Sequence, residues 1–278
     1  MSSSNRQGTM TADEQYTHNQ SSQARQRFGT RVAEVQAAFL IPHLRPGMMI
    51  LDCGCGPGSI TFGLAEIVAP GEVIGIDISE KQIEQAQSRA VEQQVANVRF
   101  ETADMYALPF TDQSFDAIFS NAVFHHLRDP LAALKGAYRL LKPEGVLGIR
   151  EPDFAGLLVN PAKPILLRYF ERIVQLITVN GGNPSIGRTL RALLQEAGLT
   201  NINASAMYET YGTQDAVHYI GTFAVNMLRE ETYITQLTNL SGNPMEVDEI
   251  REAWTAWADN PNAFLAEAWC QAIGWKAL

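Results

Sequence analysis

Short apolar runs alternate along this chain with longer stretches in which apolar residues recur every three or four positions, the pattern of strands separated by helices. Met48-Met49-Ile50-Leu51, Val73-Ile74-Gly75-Ile76, Val98–Asp104, Phe115–Asn121 and Gly145–Arg150 read as five strands. An apolar helical stretch follows the first, from Ile60 to Val68. Ser79-Glu80-Lys81-Gln82 reads as a capping box, Ser79 capping the amide at 82 and Gln82 reaching back, with its helix running to about Gln94. Asp129-Pro130 pairs an N-cap acid with proline at the first helical position, and Leu131, Leu134, Tyr138 and Leu141 then share a face. Ile186, Leu190, Leu193 and Ala197 repeat the pattern, and Gly198 supplies a left-handed end. Helical crossovers between successive strands make the strands parallel.

Two further strands, Ile202–Tyr211 and a last one near Phe264–Trp275, bring the expectation to an α/β fold with a doubly wound, mostly parallel seven-stranded sheet. Residues 1–11 are Ser/Asn/Gln-rich and read as a disordered tail. Residues 12–45 read as a helical cap, in which Phe28, Val32, Val35 and Phe39 fall at helical spacing over Ser22–Leu40 before Pro42 and Pro46-Gly47 stop the helix. The remaining 46–278 is one domain with two segments beyond what the sheet requires. Residues 153–184 hold an apolar helix with Ile165, Leu166, Tyr169, Phe170, Ile173 and Ile177. Residues 212–262 are helical and aromatic, with His218, Tyr219, Phe223, Met227, Tyr233, Trp254 and Trp257. Connections of that length inside a domain are usually functional, and they are expected to form a lid over the carboxyl ends of the strands.

Chemistry concentrates first in Leu51-Asp52-Cys53-Gly54-Cys55-Gly56-Pro57-Gly58, a tight turn between strand and helix. Glycines there let the backbone approach a ligand closely. A dinucleotide fingerprint wants its third glycine at 59, where this chain has Ser59, and the carboxylate of Asp52 would repel a diphosphate. An acid at 52 suits a ligand with a positively charged amino group, so the loop reads as one for S-adenosylmethionine and not for a nicotinamide dinucleotide. Asp77 ends the second strand 19 residues after Gly58, where a carboxylate takes both ribose hydroxyls. Asp104 ends the third strand, placed to accept from an adenine amino group, with Met105 over the ring face.

These pieces, with Gly75-Ile76-Asp77, Leu108-Pro109-Phe110, His125-His126-Leu127-Arg128-Asp129-Pro130 and Leu140-Leu141-Lys142-Pro143-Glu144-Gly145, run in one order over roughly 48–150. In that order the chain resembles class I S-adenosylmethionine-dependent methyltransferases, in the small-molecule branch that includes the ubiquinone/menaquinone C-methyltransferases. A looser match at the N-terminus includes Tyr16-Thr17-His18. The resemblance implies a Rossmann-like fold, S-adenosylmethionine as cofactor and S-adenosylhomocysteine as product. The cofactor set is then Tyr16, Asp52, Gly54, Cys55, Gly56, Gly58, Asp77, Ile78, Gln82, Asp104, Met105 and Asn121.

Methyl transfer from a sulfonium is an in-line displacement that needs alignment and desolvation, with a base only where the acceptor must lose a proton. Candidates for that base are His125, His126, Glu151 and His18, with Asp153 nearby, and each has the plainer alternative of packing or solvation. A formal net charge of −9 opposes a nucleic-acid substrate. Asn121-Ala122-Val123-Phe124 also lacks the polar-Pro-Pro-aromatic loop of enzymes that methylate DNA bases. Three cysteines make no disulfide framework, no metal set stands at ligand spacing, and no apolar run reaches a membrane span, so a cytoplasmic protein is expected. The reading is a methyltransferase acting on a small apolar or aromatic acceptor in specialised metabolism. The alternatives are a quinone-type C-methyltransferase and a non-catalytic S-adenosylmethionine-binding regulatory or scaffold subunit. The site of methylation (N, O or C) and the oligomeric state stay open.

Overall fold

The computed structural model describes residue 27 and residues 29–278. Its sheet is built on five parallel strands, β1 (Met49–Cys53), β2 (Glu72–Asp77), β3 (Val98–Thr102), β4 (Phe115–Asn121) and β5 (Leu141–Pro152), in the order β3-β2-β1-β4-β5. β1 pairs with β2 on one side and β4 on the other, so the strand order reverses at β1. Beyond β5 lies the antiparallel β8 (Phe264–Trp275), whose other edge carries β7 (Thr200–Tyr211). A short strand, β6 (Leu158–Asn160), pairs with Phe264–Ala266 and extends the β5 edge past Pro152. That makes eight strands among the described residues where sequence predicts seven. At three residues, β6 is too short for a period-two pattern to register.

Helices α1 (Ala33–Gln36), α2 (Ser59–Val68), α3 (Glu80–Glu92), α4 (Pro130–Leu140) and α6 (Leu190–Glu196) flank this sheet, while α5 (Pro164–Val179) follows β6. Alternation along the strands divides the core between two faces. Leu51, Ile118 and Ala272 pack with Leu134 and Ala137 of α4 and Leu190 and Leu194 of α6. Their neighbours Ile50, Phe119 and Ile273 pack against Leu64 and Val68 of α2 and Ala33 of α1. A separate core joins α5 to three helices between β7 and β8, α7 (Gln214–Met227), α8 (Glu231–Ser241) and α9 (Pro244–Ala258), around Leu166, Tyr169, Ile220, Trp254 and Trp257. No helix among the described residues is long and apolar enough to cross a membrane.

One expected helix is corrected. Within Ser22–Leu40 the described residues are helical at Arg27 and over Ala33–Gln36 and leave the helix at 29–32 and after Gln36, and Val32 and Val35 stand 45% and 46% exposed. The buried positions are Ala33, Gln36, Ala37 and Leu40. The cause is close approach: a Cβ on Gly63 of α2 would lie 2.7 Å from the Ala33 Cβ, so this contact selects small residues and a stripe of large ones misses it. The third strand also stops at Thr102, leaving Asp104 and Met105 in the turn after it.

The cofactor-loop side of the sheet rests on Phe100 of β3. A Cβ on Gly75 would meet its ring at 2.7 Å, and so would one on Gly58. Overpacking of this kind costs about 1–3 kcal/mol. Gly75→Ala is therefore expected to lower unfolding free energy in urea by about that amount. Phe100→Leu placed on the Gly75→Ala background should recover part of the loss, and an additive double mutant would contradict the contact.

Candidate functional site

The carboxyl ends of the parallel strands form one rim, with Asp52 opposite Gly75 and Asn121 opposite Arg150 in register. Past β1 the chain turns through Gly54, Gly56 and Gly58 at φ of +73°, +54° and +79°, the left-handed region that glycine enters without penalty. The amides of Gly54 and Cys55 donate to the Ile76 carbonyl at 2.7 and 2.9 Å. The Gly56 amide donates to Asp77 Oδ2 at 3.0 Å, and the Ser79 amide to Asp77 Oδ1 at 2.9 Å. Asp77 thus ties the glycine loop to the end of β2. Burial raises its pKa, and the surrounding amides moderate the rise.

A cavity of about 1090 Å³, counted to its open mouth, sits against this loop. Asp52, Gly54, Cys55, Gly56, Asp77, Ile78, Gln82, Asp104, Met105 and Asn121, all singled out by sequence, line it. Gly58 does not: it is the N-cap of α2, packed on Phe100. Asp52 is 2% exposed and accepts a 2.6 Å hydrogen bond from Thr61 Oγ1. Burial pushes its carboxyl up to about 7, against the pull of Thr61 and with a push from Asp77. Burial likewise pushes the Cys55 thiol well up, with both aspartates adding to it.

The capping box is corrected. Ser79 is the N-cap of α3, but its side chain makes no cap bond. Gln82 instead turns inward, 5% exposed, with Oε1 lacking a hydrogen-bond partner among the described residues. Across the cavity Asn121 accepts from Arg150 Nη1 at 3.2 Å, and its Nδ2 is buried without a partner. One orphaned acceptor, one orphaned donor, two buried carboxyls and a side-chain-free loop fit a ligand that carries both polar types and a positive charge.

A second cavity of about 1000 Å³ adjoins the first, and Arg31, Ala122 and His126 line both. Ala122 holds φ +60° at this junction, its amide donating to the Arg150 carbonyl at 2.9 Å. His125 and Asp153 line only the second cavity. Glu151 lines neither, which corrects its candidacy as a base. It is fully buried, accepting from the amides of Val123 and Phe124 at 2.8 Å each and of His125 at 3.2 Å. Its Oε2 also lies 2.7 Å from His125 Nδ1. Asp153 is taken by Arg188, at 2.6 and 2.7 Å. Tyr16 and His18 lie outside the described residues.

Sequence reading missed the walls of the second cavity that come from β8 and from polar residues before β1. Arg27 donates to Glu267 at 2.5 Å and Tyr211 at 2.6 Å, while Arg31 lies over the Trp269 ring at 5.5 Å. On the same indole sits Arg150, fully buried, its guanidinium 3.9 Å from the ring centre and its pKa lowered by burial to about 10. Arg27 and Arg31 stand off the spacing of Phe28, Val32, Val35 and Phe39, and nothing local in the sequence marks them as cavity walls.

Residues 44–197 match the methyltransferase domain family. Over 241 residues the chain is 27% identical to an uncharacterised methyltransferase of Schizosaccharomyces pombe, covering 83% of this chain and 85% of that protein. Over 151 residues it is 34% identical to a demethylmenaquinone methyltransferase of Lactococcus lactis, 54% of this chain and 56% of that one. The YcgJ protein of Bacillus subtilis shares the fold at a TM-score of 0.59 with 23% identity, covering 87% of this chain and 98% of that one. The strand order, the glycine loop and these likenesses agree, and the chain belongs to the methyltransferase domain family as an S-adenosylmethionine-dependent methyltransferase.

Proposed function

We propose that this enzyme methylates a small apolar or aromatic acceptor held in the second cavity, beside a cofactor held in the first. The observation that carries the reading is the junction: two cavities of similar size meet at Arg31, Ala122 and His126, one lined by the loop and acids, the other by aromatic rings. On this reading Asp77 takes the ribose hydroxyls, Asp104 the adenine amino group with Met105 over the ring, and Asp52 the side of the ligand's ammonium. Gln82 Oε1 and Asn121 Nδ2 find their missing partners on the same ligand.

S-adenosylmethionine supplies, when bound, a methyl group activated by a sulfonium. The chain's own part is to align the acceptor and keep water away, for which the aromatic walls around Tyr169, Phe170 and Trp254 serve. Where the acceptor must lose a proton, His125 is the candidate base. Glu151 Oε2, an acceptor, holds the proton on Nδ1 and leaves Nε2 as the basic nitrogen toward the cavity. A specialised-metabolite acceptor is favoured over a quinone, because helices α5, α7, α8 and α9 all contribute walls, and the demethylmenaquinone enzyme of Lactococcus lactis aligns with only about half the chain.

Calorimetric titration with S-adenosylhomocysteine tests the first half of this reading. Asp77→Ala is expected to weaken binding by about 2–4 kcal/mol, since hydrogen bonds to a charged acceptor disappear. An unchanged dissociation constant would place the ribose elsewhere.

The Asp52 carboxyl gives that affinity a pH dependence. It is ionised above about 7 and neutral below, so affinity is expected to fall as pH drops from 8 to 6, by at most about tenfold per unit below the pKa. Asp52→Asn should flatten the profile. Because the folded chain holds this proton more tightly than the unfolded chain, the same group's contribution to apo stability declines as pH rises from about 4 to about 7. An apo stability difference between wild type and Asp52→Asn that does not change over that interval would contradict the shift.

For the base, a screen of hydroxyarenes and aminoarenes with labelled methyl donor identifies a working acceptor. His125→Ala should then lower kcat by about 10²–10⁴ with KM little changed, as loss of a positioned base does. A full rate in that variant would leave alignment as the chain's only contribution.

A further inference from the structure

We infer that Trp254 and Trp269 select the acceptor through their indole N–H groups, and that the acceptor is a ring system bearing hydrogen-bond-accepting oxygens. This rests on the second cavity being the acceptor site.

Both indoles line that cavity, at 1% and 4% exposure, and neither Nε1 has a hydrogen-bond partner among the described residues. An unmade bond at a buried donor is costly to the fold. Trp257, one turn beyond Trp254 on α9, supplies the contrast. It is fully buried, it does not line the cavity, and its Nε1 donates to the Asn160 carbonyl at 2.9 Å. The fold therefore satisfies the tryptophan that only packs and leaves unsatisfied the two that face a ligand space.

The remaining polar groups of this cavity tilt the same way. Burial pushes the Tyr169 hydroxyl up to about 12 and that of Tyr233 well up, so both phenols stay protonated, and they hydrogen-bond to each other. The two carboxylates on the wall are engaged, Glu267 by Arg27 and Asp153 by Arg188. Arg27 and Arg31 line the cavity too, Arg27 through its pair with Glu267. With these groups engaged, the two indole N–H donors are the ones left without a partner among the described residues, which calls for oxygen on the ligand. The flat walls, with Tyr169, Phe170 and Trp254 edge-to-face at centroid distances of 5.4 to 5.7 Å, call for a ring.

Two probes of one shape separate hydrogen bonding from packing. These are 2,3-dimethyl-1,4-naphthoquinone and 1,2,3,4-tetramethylnaphthalene, in which methyl groups replace both carbonyl oxygens. Dissociation constants are measured by ligand-observed NMR on the full chain saturated with S-adenosylhomocysteine. Trp254→Phe and Trp269→Phe are each expected to weaken the dione about five- to tenfold, the size of one hydrogen bond, and to leave the hydrocarbon within about twofold. Trp257→Phe should not discriminate between the probes. In wild-type protein carrying ¹⁵N-labelled indoles, the dione should move the Trp254 and Trp269 Nε1–H signals downfield and the hydrocarbon should not. Equal losses for both probes, or none, would overturn the selection by the N–H groups while leaving the cavity as the acceptor site. Failure of both probes to bind wild type, with S-adenosylhomocysteine still bound, would overturn the acceptor site and the inference with it.

Discussion

Glu151 holds the centre of this molecule. Its carboxylate, fully buried at the end of β5, takes three successive backbone amides from Val123 to His125 and faces the His125 ring as well. A buried carboxylate is costly unless it is hydrogen-bonded, and here the bonds come from the segment that separates the two cavities. Asn121 and Val123 line the first cavity, His125 the second, and Ala122 and His126 both. The segment also supports the glycine loop, because Val123 stands where a Cβ on Gly54 would be, 2.1 Å away. One side chain on β5 thereby fixes the loop after β4, and through it the loop after β1.

The two cavities differ in chemistry because they are built by different parts of the chain. The first is a product of the parallel sheet: strands β1, β2 and β4 end at one rim, and each end supplies a polar group. The second is roofed by α5 and by the helices between β7 and β8, which have their own hydrophobic core. Arg27 ties that roof to the sheet: Glu267, Tyr211 and Glu209 of β7 and β8 hold it through partly buried charge, and it lies over the Phe223 ring of α7 at 5.0 Å. The division suits an enzyme family that keeps a donor site and varies an acceptor site, since function sits on segments grafted to a shared scaffold.

The sequence by itself determined the sheet and most of the residues that line the first cavity. Parallel strands buried on both faces give dense apolar runs, so β1, β2 and β4 were legible, and β4 matched Phe115–Asn121 to the residue. The glycine spacing and the acids at 52, 77 and 104 were legible because their roles are local: each sits within a few residues of a strand end and needs no distant partner to be placed. Asp129 at its N-cap, accepting from the Ala132 amide at 2.9 Å, was legible for the same reason.

Only the tertiary structure decided the rest. Glu151 and Gln82 looked like a candidate base and a helix cap; the actual partners of Glu151 lie 26 to 28 residues away, and Gln82 turns to the first cavity. Packing of α1 on α2 through Ala33 and Gly63 hid the true buried face behind exposed valines. Trp254 and Trp257 are alike in sequence, both aromatic residues on one helix, three positions apart. What separates them is a single backbone carbonyl at Asn160, almost a hundred residues earlier in the chain, and no local pattern carries that distance.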